Sequence, residues 1–182
     1  MGDKVRSVDA TAHYRHLLQL GREEFLASAA PAALVRYRSA NSDAESGATT
    51  LTLDQDEGQE TIEETMPHGK DFAIREDADL EVYPLTKKPG ASFPDRITIG
   101  RTPNNDIVIN DHSVSRFHAY VRHDGKTWIV ADAGSKNGSW LDKSTLEARK
   151  ERKLSSRGVL RIGDVDLRFF LAADLFTALG GS

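Results

Sequence analysis

The stretch ITIGRTPNNDIVINDHSVSRFHAYV, from Ile97 to Val121, decides the fold. It contains three short apolar runs (Ile97–Ile99, Ile107–Ile109 and Phe117–Val121) with the β-branched and aromatic character of strands. Loop-type residues fall where those runs stop: Gly100 and Arg101, Asn105 and Asp106, and Ser113 to His118, followed further on by SKNGS at Ser135 to Ser139. Short strands joined by such turns predict a sandwich, and several of its loops converge at one end. An arginine, a serine and an asparagine meeting there suit an anion: a guanidinium fork, a hydroxyl and an amide all offer hydrogen-bond donors to a phosphate oxygen.

Outward from this stretch the same pattern continues. LEVYPL (80–85), TWIVAD (127–132), GSWLD (138–142), VLRIG (159–163) and VDLRFFL (165–171) read as further strands, punctuated by Lys88-Pro89-Gly90, Asp124-Gly125 and Asn137-Gly138. Ile97, Ile99, Ile107, Ile109, Val121, Trp128, Val130, Trp140, Leu141, Leu160, Ile162, Leu167 and Phe169 are the expected filling between two antiparallel sheets. AADLFTALG near the C-terminus reads as a short helix.

Near the N-terminus, Tyr14, Leu17, Leu18, Phe25, Leu26 and Ala29 recur at three- and four-residue steps, which predicts one helix with Asp9 or Thr11 as its cap and Pro31 beyond its end. AALVRYR then has the character of an edge strand. This helix is expected to dock on the sandwich or to dimerise; Glu23 and Glu24 beside Arg15 and Arg22 argue against a membrane-surface role. The expected organisation is therefore a helix plus strand over 1–40, a disordered tether over 41–78, a β-sandwich over 79–172 and a short helical tail over 173–182.

Charge follows these boundaries. The net charge of −4 is unevenly spread: residues 41–82 hold two basic and 13 acidic side chains, whereas residues 83–182 hold 16 and 11. The tether is too poor in apolar residues to offset its ordering entropy, and it carries Thr49, Thr50, Thr52, Thr61 and Thr65. Cysteine is absent, which removes disulfides and thiolate metal sites. No apolar run reaches the length of a membrane span and the first residues have no signal-peptide core, so a soluble cytoplasmic protein is the expectation.

Catalytic patterns are missing from the sequence: it has no P-loop, no GxGxxG after a strand, no HExxH and no GxSxG. His112, His118 and His123 match no zinc spacing. No enzyme activity, cofactor or metal is expected. The basic run at Arg149, Lys150, Arg152, Lys153 and Arg157 raises nucleic-acid binding as an alternative, set against the acidic excess beside it; neither nucleic acid nor membrane is the expected partner.

Taken jointly, the order and spacing of these motifs resemble the forkhead-associated (FHA) domain. Gly100 and Ser115 are 15 positions apart, His118 and Asn137 are 19 apart, and VLRIGDVDLRF closes the pattern. The resemblance covers about Asp79 to Leu171. It implies a β-sandwich that reads phosphothreonine with the loops at one end, as an adaptor in Ser/Thr kinase signalling.

By that resemblance Arg101 and Ser115 hold the phosphate, while Arg116, Lys136 and Asn137 face the peptide, with Asn137 bonding its main chain. Gly100, His118 and Gly138 support the site, His118 from beneath its loop. Lys136 stands where relatives vary and choose the residue three after the phosphothreonine, which makes an acid at that position the expectation. Each residue keeps an alternative: an ion pair to Asp106 or Asp111 for Arg101, a turn cap for Ser115, solvent exposure for Arg116 and a hairpin turn for Asn137. The expected partner is a phosphothreonine protein or this chain's own tether phosphorylated at Thr61 or Thr65. A phosphate-independent scaffold or secretion-system component is the competing reading.

Overall fold

The N-terminal periodicity folds as two helices, α1 (Ser7–Leu20) and α2 (Arg22–Ser28), in a computed structural model that describes residues 7–37, 74 and 79–181. Gly21 separates them with φ 96° and ψ 172°, a conformation that glycine adopts without penalty and that no helix contains. This corrects the expectation of a single helix. Thr11 is not a cap: its hydroxyl accepts from Val82 N–H at 3.0 Å and ties α1 to a strand.

Eleven strands follow among the described residues: β1 (Ala32–Tyr37), β2 (Leu80–Pro84), β3 (Ile97–Gly100), β4 (Ile107–Val108), β5 (Ala119–His123), β6 (Trp128–Asp132), β7 (Ser139–Leu141), β8 (Ser144–Thr145), β9 (Arg152–Leu154), β10 (Val159–Ile162) and β11 (Val165–Leu171). Helix α3 (Ala172–Ala178) ends the order. One sheet runs β2-β1-β11-β10-β7-β8 and the other β4-β3-β5-β6-β9. Pairing is antiparallel except between β3 and β4, where Ile99 stands beside Ile107 in parallel. Ile97, Ile99, Val121, Val130, Leu160, Leu167 and Phe169 fill the space between the sheets. Trp128 joins them against Phe169, with ring centroids 6.0 Å apart.

Trp140 does not. Period-two alternation in β7 sends Ser139 and Leu141 inward and leaves Trp140 half-buried on the outer face, where its ring lies against Gly138.

β1 is not an edge strand. It pairs with β11 on one side (Leu34↔Phe169) and with β2 on the other (Leu34↔Tyr83). Its continuous apolar start, Ala32 to Val35, is explained by burial on both faces: Ala32 and Leu34 enter the sandwich core, while Ala33 and Val35 join Tyr14, Leu17, Phe25, Phe170 and Phe176 in a second core. The three helices thus form a third layer over one sheet, with Phe25 edge-on to Tyr14 (5.7 Å) and to Phe176 (5.2 Å).

Topology also orients the chain relative to the loops. The β10–β11 turn meets two loops at one end of the sandwich, through Gly163 N–H to Gly138 O (3.0 Å) and Asp164 N–H to Ser113 Oγ (2.9 Å). Because β1 runs antiparallel to β11, it ends at that same end, and β2 begins there opposite Tyr37.

An interior β1 makes the N-terminal segment part of the sandwich's stability. Leu34→Ala should cost about 2–5 kcal/mol, as core truncations do; urea denaturation checks it, and a loss below about 1 kcal/mol is the outcome expected of a dispensable edge.

Candidate functional site

Gly100 ends β3 where no side chain fits. A Cβ there would stand 2.2 Å from Arg116 O and 2.7 Å from Asn105 Nδ2. The requirement is for close approach, and it lets two backbones meet: Arg101 N–H donates to Ser115 O at 3.0 Å. The loop after Arg101 is then fastened to the loop before β5, because Asn105 Nδ2 donates to Arg116 O at 2.6 Å and to Thr102 O at 2.9 Å, and Thr102 Oγ1 donates to Arg116 O at 2.9 Å. Asn105 is buried and shapes the loop. Asp106 does the same from the other side, accepting from Thr98 N–H, Lys88 N–H and Lys87 Nζ at 2.7–2.8 Å.

His118 lies beneath the next loop, fully buried. Its Nδ1 accepts from Ser115 N–H at 2.9 Å, which fixes the tautomer and leaves Nε2–H to donate to Gly138 O at 2.9 Å. Burial pushes its pKa below the ordinary value of 6.5, outweighing the Gly138 carbonyl and the Asp132 carboxylate, so the ring is neutral.

Asp132 shapes the third loop, a role that no sequence motif had singled out. Its Oδ1 accepts from Gly134 N–H (2.7 Å) and Ser135 N–H (2.9 Å), and its Oδ2 accepts from Ser135 Oγ and Ser139 Oγ, both at 2.6 Å. Burial alone would raise its pKa, but these donors together hold it below the ordinary aspartate value. The signal for it is Asp-Ala-Gly-Ser at 132–135, an aspartate two residues before a glycine at a strand end, where its side chain can mimic a backbone turn. Gly138 closes the loop with φ 86°.

Ser115 joins all three loops. Besides its main-chain bonds to Arg101 and His118, its Oγ accepts from Lys136 N–H at 3.0 Å. The hydroxyl hydrogen is thereby left as a donor for a further oxygen. Asn137 Nδ2 donates one hydrogen to Ser113 O at 2.8 Å; its second hydrogen and its Oδ1 have no partner among the described residues.

Electrostatics single out the same end. Asp106 is paired with Lys87 and Asp111 with Arg36, so neither carboxylate neutralises Arg101. Arg101, Arg116 and Lys136 are exposed and have no ion-pair partner among the described residues. The main chains of three exposed cationic residues thus meet beside one hydroxyl donor at a three-loop junction, a composition that fits an oxyanion bearing several acceptors. The basic run reads differently: Lys150 pairs with Glu147 and Arg157 with Asp174, and Arg152 and Lys153 sit on the edge strand β9. Thr61 and Thr65 lie outside the described residues. No group of His, Asp or Glu suited to a metal occurs among the described residues, and none of their helices is long and apolar enough to cross a membrane.

Comparison with known proteins covers this region. The family model for the FHA domain matches residues 97–163. An FHA domain-containing protein of Arabidopsis thaliana is 31% identical over 81 residues, covering 44% of this chain and 20% of that protein. The oxoglutarate dehydrogenase inhibitor of Corynebacterium diphtheriae is 39% identical over 72 residues, covering 40% and 48%. The matched stretch is thus at most about half the length of these two relatives. Among solved structures, Mycobacterium tuberculosis EmbR in complex with a low-affinity phosphopeptide is 28% identical with a TM-score of 0.44, covering 51% of this chain and 22% of that one.

The neutral His118 gives the site a pH dependence of definite sign. The unfolded chain takes up a proton near 6.5 while the folded chain resists it, so stability falls as pH drops below that value, by up to about 1.4 kcal/mol per pH unit. Asp132 and Asp106, held below 3.8, add their losses only in a lower window. The melting temperature should decline between about pH 6.5 and pH 5 in the wild type, and His118→Gln should flatten that decline.

Proposed function

We propose, from the match of residues 97–163 to the FHA domain model, that the protein is a non-catalytic adaptor that binds phosphothreonine peptides at the junction of its three loops. The observation that carries this reading is Ser115: its Oγ is fixed by Lys136 N–H and its carbonyl by Arg101 N–H. A hydroxyl hydrogen is thereby presented among Arg101, Arg116 and Lys136, three unpaired cations. In this reading Arg101 and Ser115 hold the phosphate. Asn137 offers its remaining amide hydrogen and Oδ1 to the peptide main chain, Arg116 adds positive potential, and Lys136 favours an acidic residue three after the phosphothreonine. The paired and dispersed basic run supplies no comparable junction, which disfavours nucleic acid. A phosphate-independent scaffold would leave the unpaired cations without a purpose.

The test is a degenerate peptide library with a central phosphothreonine, read by calorimetry on the selected sequences. Charge-assisted hydrogen bonds contribute about 1.5–3 kcal/mol each, so Arg101→Ala should weaken binding at least about tenfold. Its melting temperature should stay near wild type, because the Arg101 side chain has no partner to lose. Enrichment of Asp or Glu at the third position after the phosphothreonine is expected in wild type and reversed in Lys136→Glu. Equal affinity for phosphorylated and unphosphorylated peptides would contradict the assignment.

A specific observation also favours self-binding. Tyr37 and Leu80 are register partners at the loop end of the sheet, so β1 ends and β2 begins beside the site, while Ile74 ahead of β2 is buried against α3 with its N–H on Ala178 O at 2.6 Å. The connection between the two strands carries Thr61, with Glu64 three residues on. A phosphothreonine tethered this way reaches an effective concentration on the order of millimolar and competes with partners. Kinase-treated wild type should lose affinity for added phosphopeptide, and a Thr61→Ala, Thr65→Ala variant treated alike should keep it. Unchanged affinity in treated wild type, with both threonines shown by mass spectrometry to be phosphorylated, would reduce the connection to a spacer.

A further inference from the structure

Arg36 belongs to none of the loops that carry the site, yet contacts join it to one of the site's residues. It lies near the end of β1, between two carboxylates. Its Nη1 is 4.0 Å from Glu81 Oε2, which also accepts from the Tyr83 hydroxyl at 2.6 Å, and its Nη2 is 3.5 Å from Asp111 Oδ2. The other oxygen of Asp111 accepts twice from Ser113, from N–H at 3.0 Å and from Oγ at 2.7 Å. Ser113 O in turn accepts from Asn137 Nδ2 at 2.8 Å.

The Ser113 end of this chain of contacts is the tightly held one. Ser113 Oγ also accepts from Asp164 N–H at 2.9 Å. Behind it the Gly163 backbone comes so close that a Cβ there would stand 2.5 Å from Ser113 O. The Ser113 carbonyl is thus held between the Asp111 carboxylate and the β10–β11 turn, and the Asn137 amide is aimed by that carbonyl. An amide with one hydrogen committed to a fixed carbonyl is restricted in how it presents its other hydrogen and its oxygen.

We propose that Arg36 is a positioning residue for Asn137, acting through Asp111 and Ser113, so that the N-terminal strand tunes how the site grips a peptide main chain. This rests on the phosphopeptide reading of the site. Removing the guanidinium leaves Asp111 without the cation that fixes its second oxygen, and the Ser113 turn loses its anchor on β1. The Asn137 amide then samples other orientations and pays entropy when a peptide binds.

The experiment compares wild type, Arg36→Lys and Arg36→Gln in two measurements: the side-chain amide cross-peaks of Asn137 in the free protein, and affinity for a peptide pool with a fixed central phosphothreonine. Arg36→Gln should move or broaden the Asn137 amide and weaken pool binding about two- to fivefold, the range of a partly screened ion pair. Arg36→Lys should restore most of both. Unmoved Asn137 cross-peaks in Arg36→Gln overturn the proposal, as does equal loss in the Lys and Gln variants tracking a lowered melting temperature. Wild type that fails to bind the pool sinks the phosphopeptide reading alone, because the Asn137 amide in the free protein still decides whether Arg36 positions it.

Discussion

Three hydrogen bonds to one residue hold the three-loop end of this sandwich together. Ser115 accepts at its carbonyl from Arg101, donates from its amide to His118 and accepts at its hydroxyl from Lys136. The bonds to Arg101 and Lys136 reach two other loops, the bond to His118 braces Ser115's own loop, and each depends on something smaller. The first requires a glycine at position 100, the second a neutral histidine of one tautomer, and the third a loop whose turn is set by Asp132. Because most polar groups of the junction are satisfied by one another, what remains free among the described residues is three cations, one hydroxyl hydrogen, and the second hydrogen and the oxygen of the Asn137 amide. That surplus of donors defines what the junction can bind.

The apolar layers beneath serve this arrangement. β3, β5 and β6 are rigid because Ile99, Val121 and Val130 are fully buried between the sheets, and loops on a rigid sandwich hold their geometry at low entropic cost. The helices extend the same logic to the N-terminal segment. By covering the outer face of the six-stranded sheet they bury β1 on both sides, and the pairing of β1 between β2 and β11 sets Arg36 near Asp111.

Much of this was legible in the sequence, for a local reason. Alternation of Ile, Val and aromatic residues marked the main strands, and Gly100, Ser115, His118 and Asn137 stood out by their spacing. What was hidden depends on contacts distant in sequence. β1 read as an edge because its partner β11 lies more than a hundred residues away; only its unbroken apolar run hinted at two buried faces. The two-residue β8 and three-residue β9 carry too few apolar residues to show a period. Trp140 reads as core in a list of apolar residues, whereas the pleat of β7 sets its direction. Gly21 leaves no mark on the pattern because the apolar residues on either side of it keep a helical step. The Asp111–Arg36 contact has no sequence signature, since it spans 75 positions.

Binding of a phosphate monoester on threonine at the Ser115 junction is tested by titrating the isotopically labelled protein with one peptide in its phosphothreonine and threonine forms. The prediction is that the backbone amides of Arg101, Ser115 and Lys136 shift together with one affinity, and only for the phosphorylated form. Shifts confined to Arg149–Arg157, or the same shifts with both peptides, would contradict it.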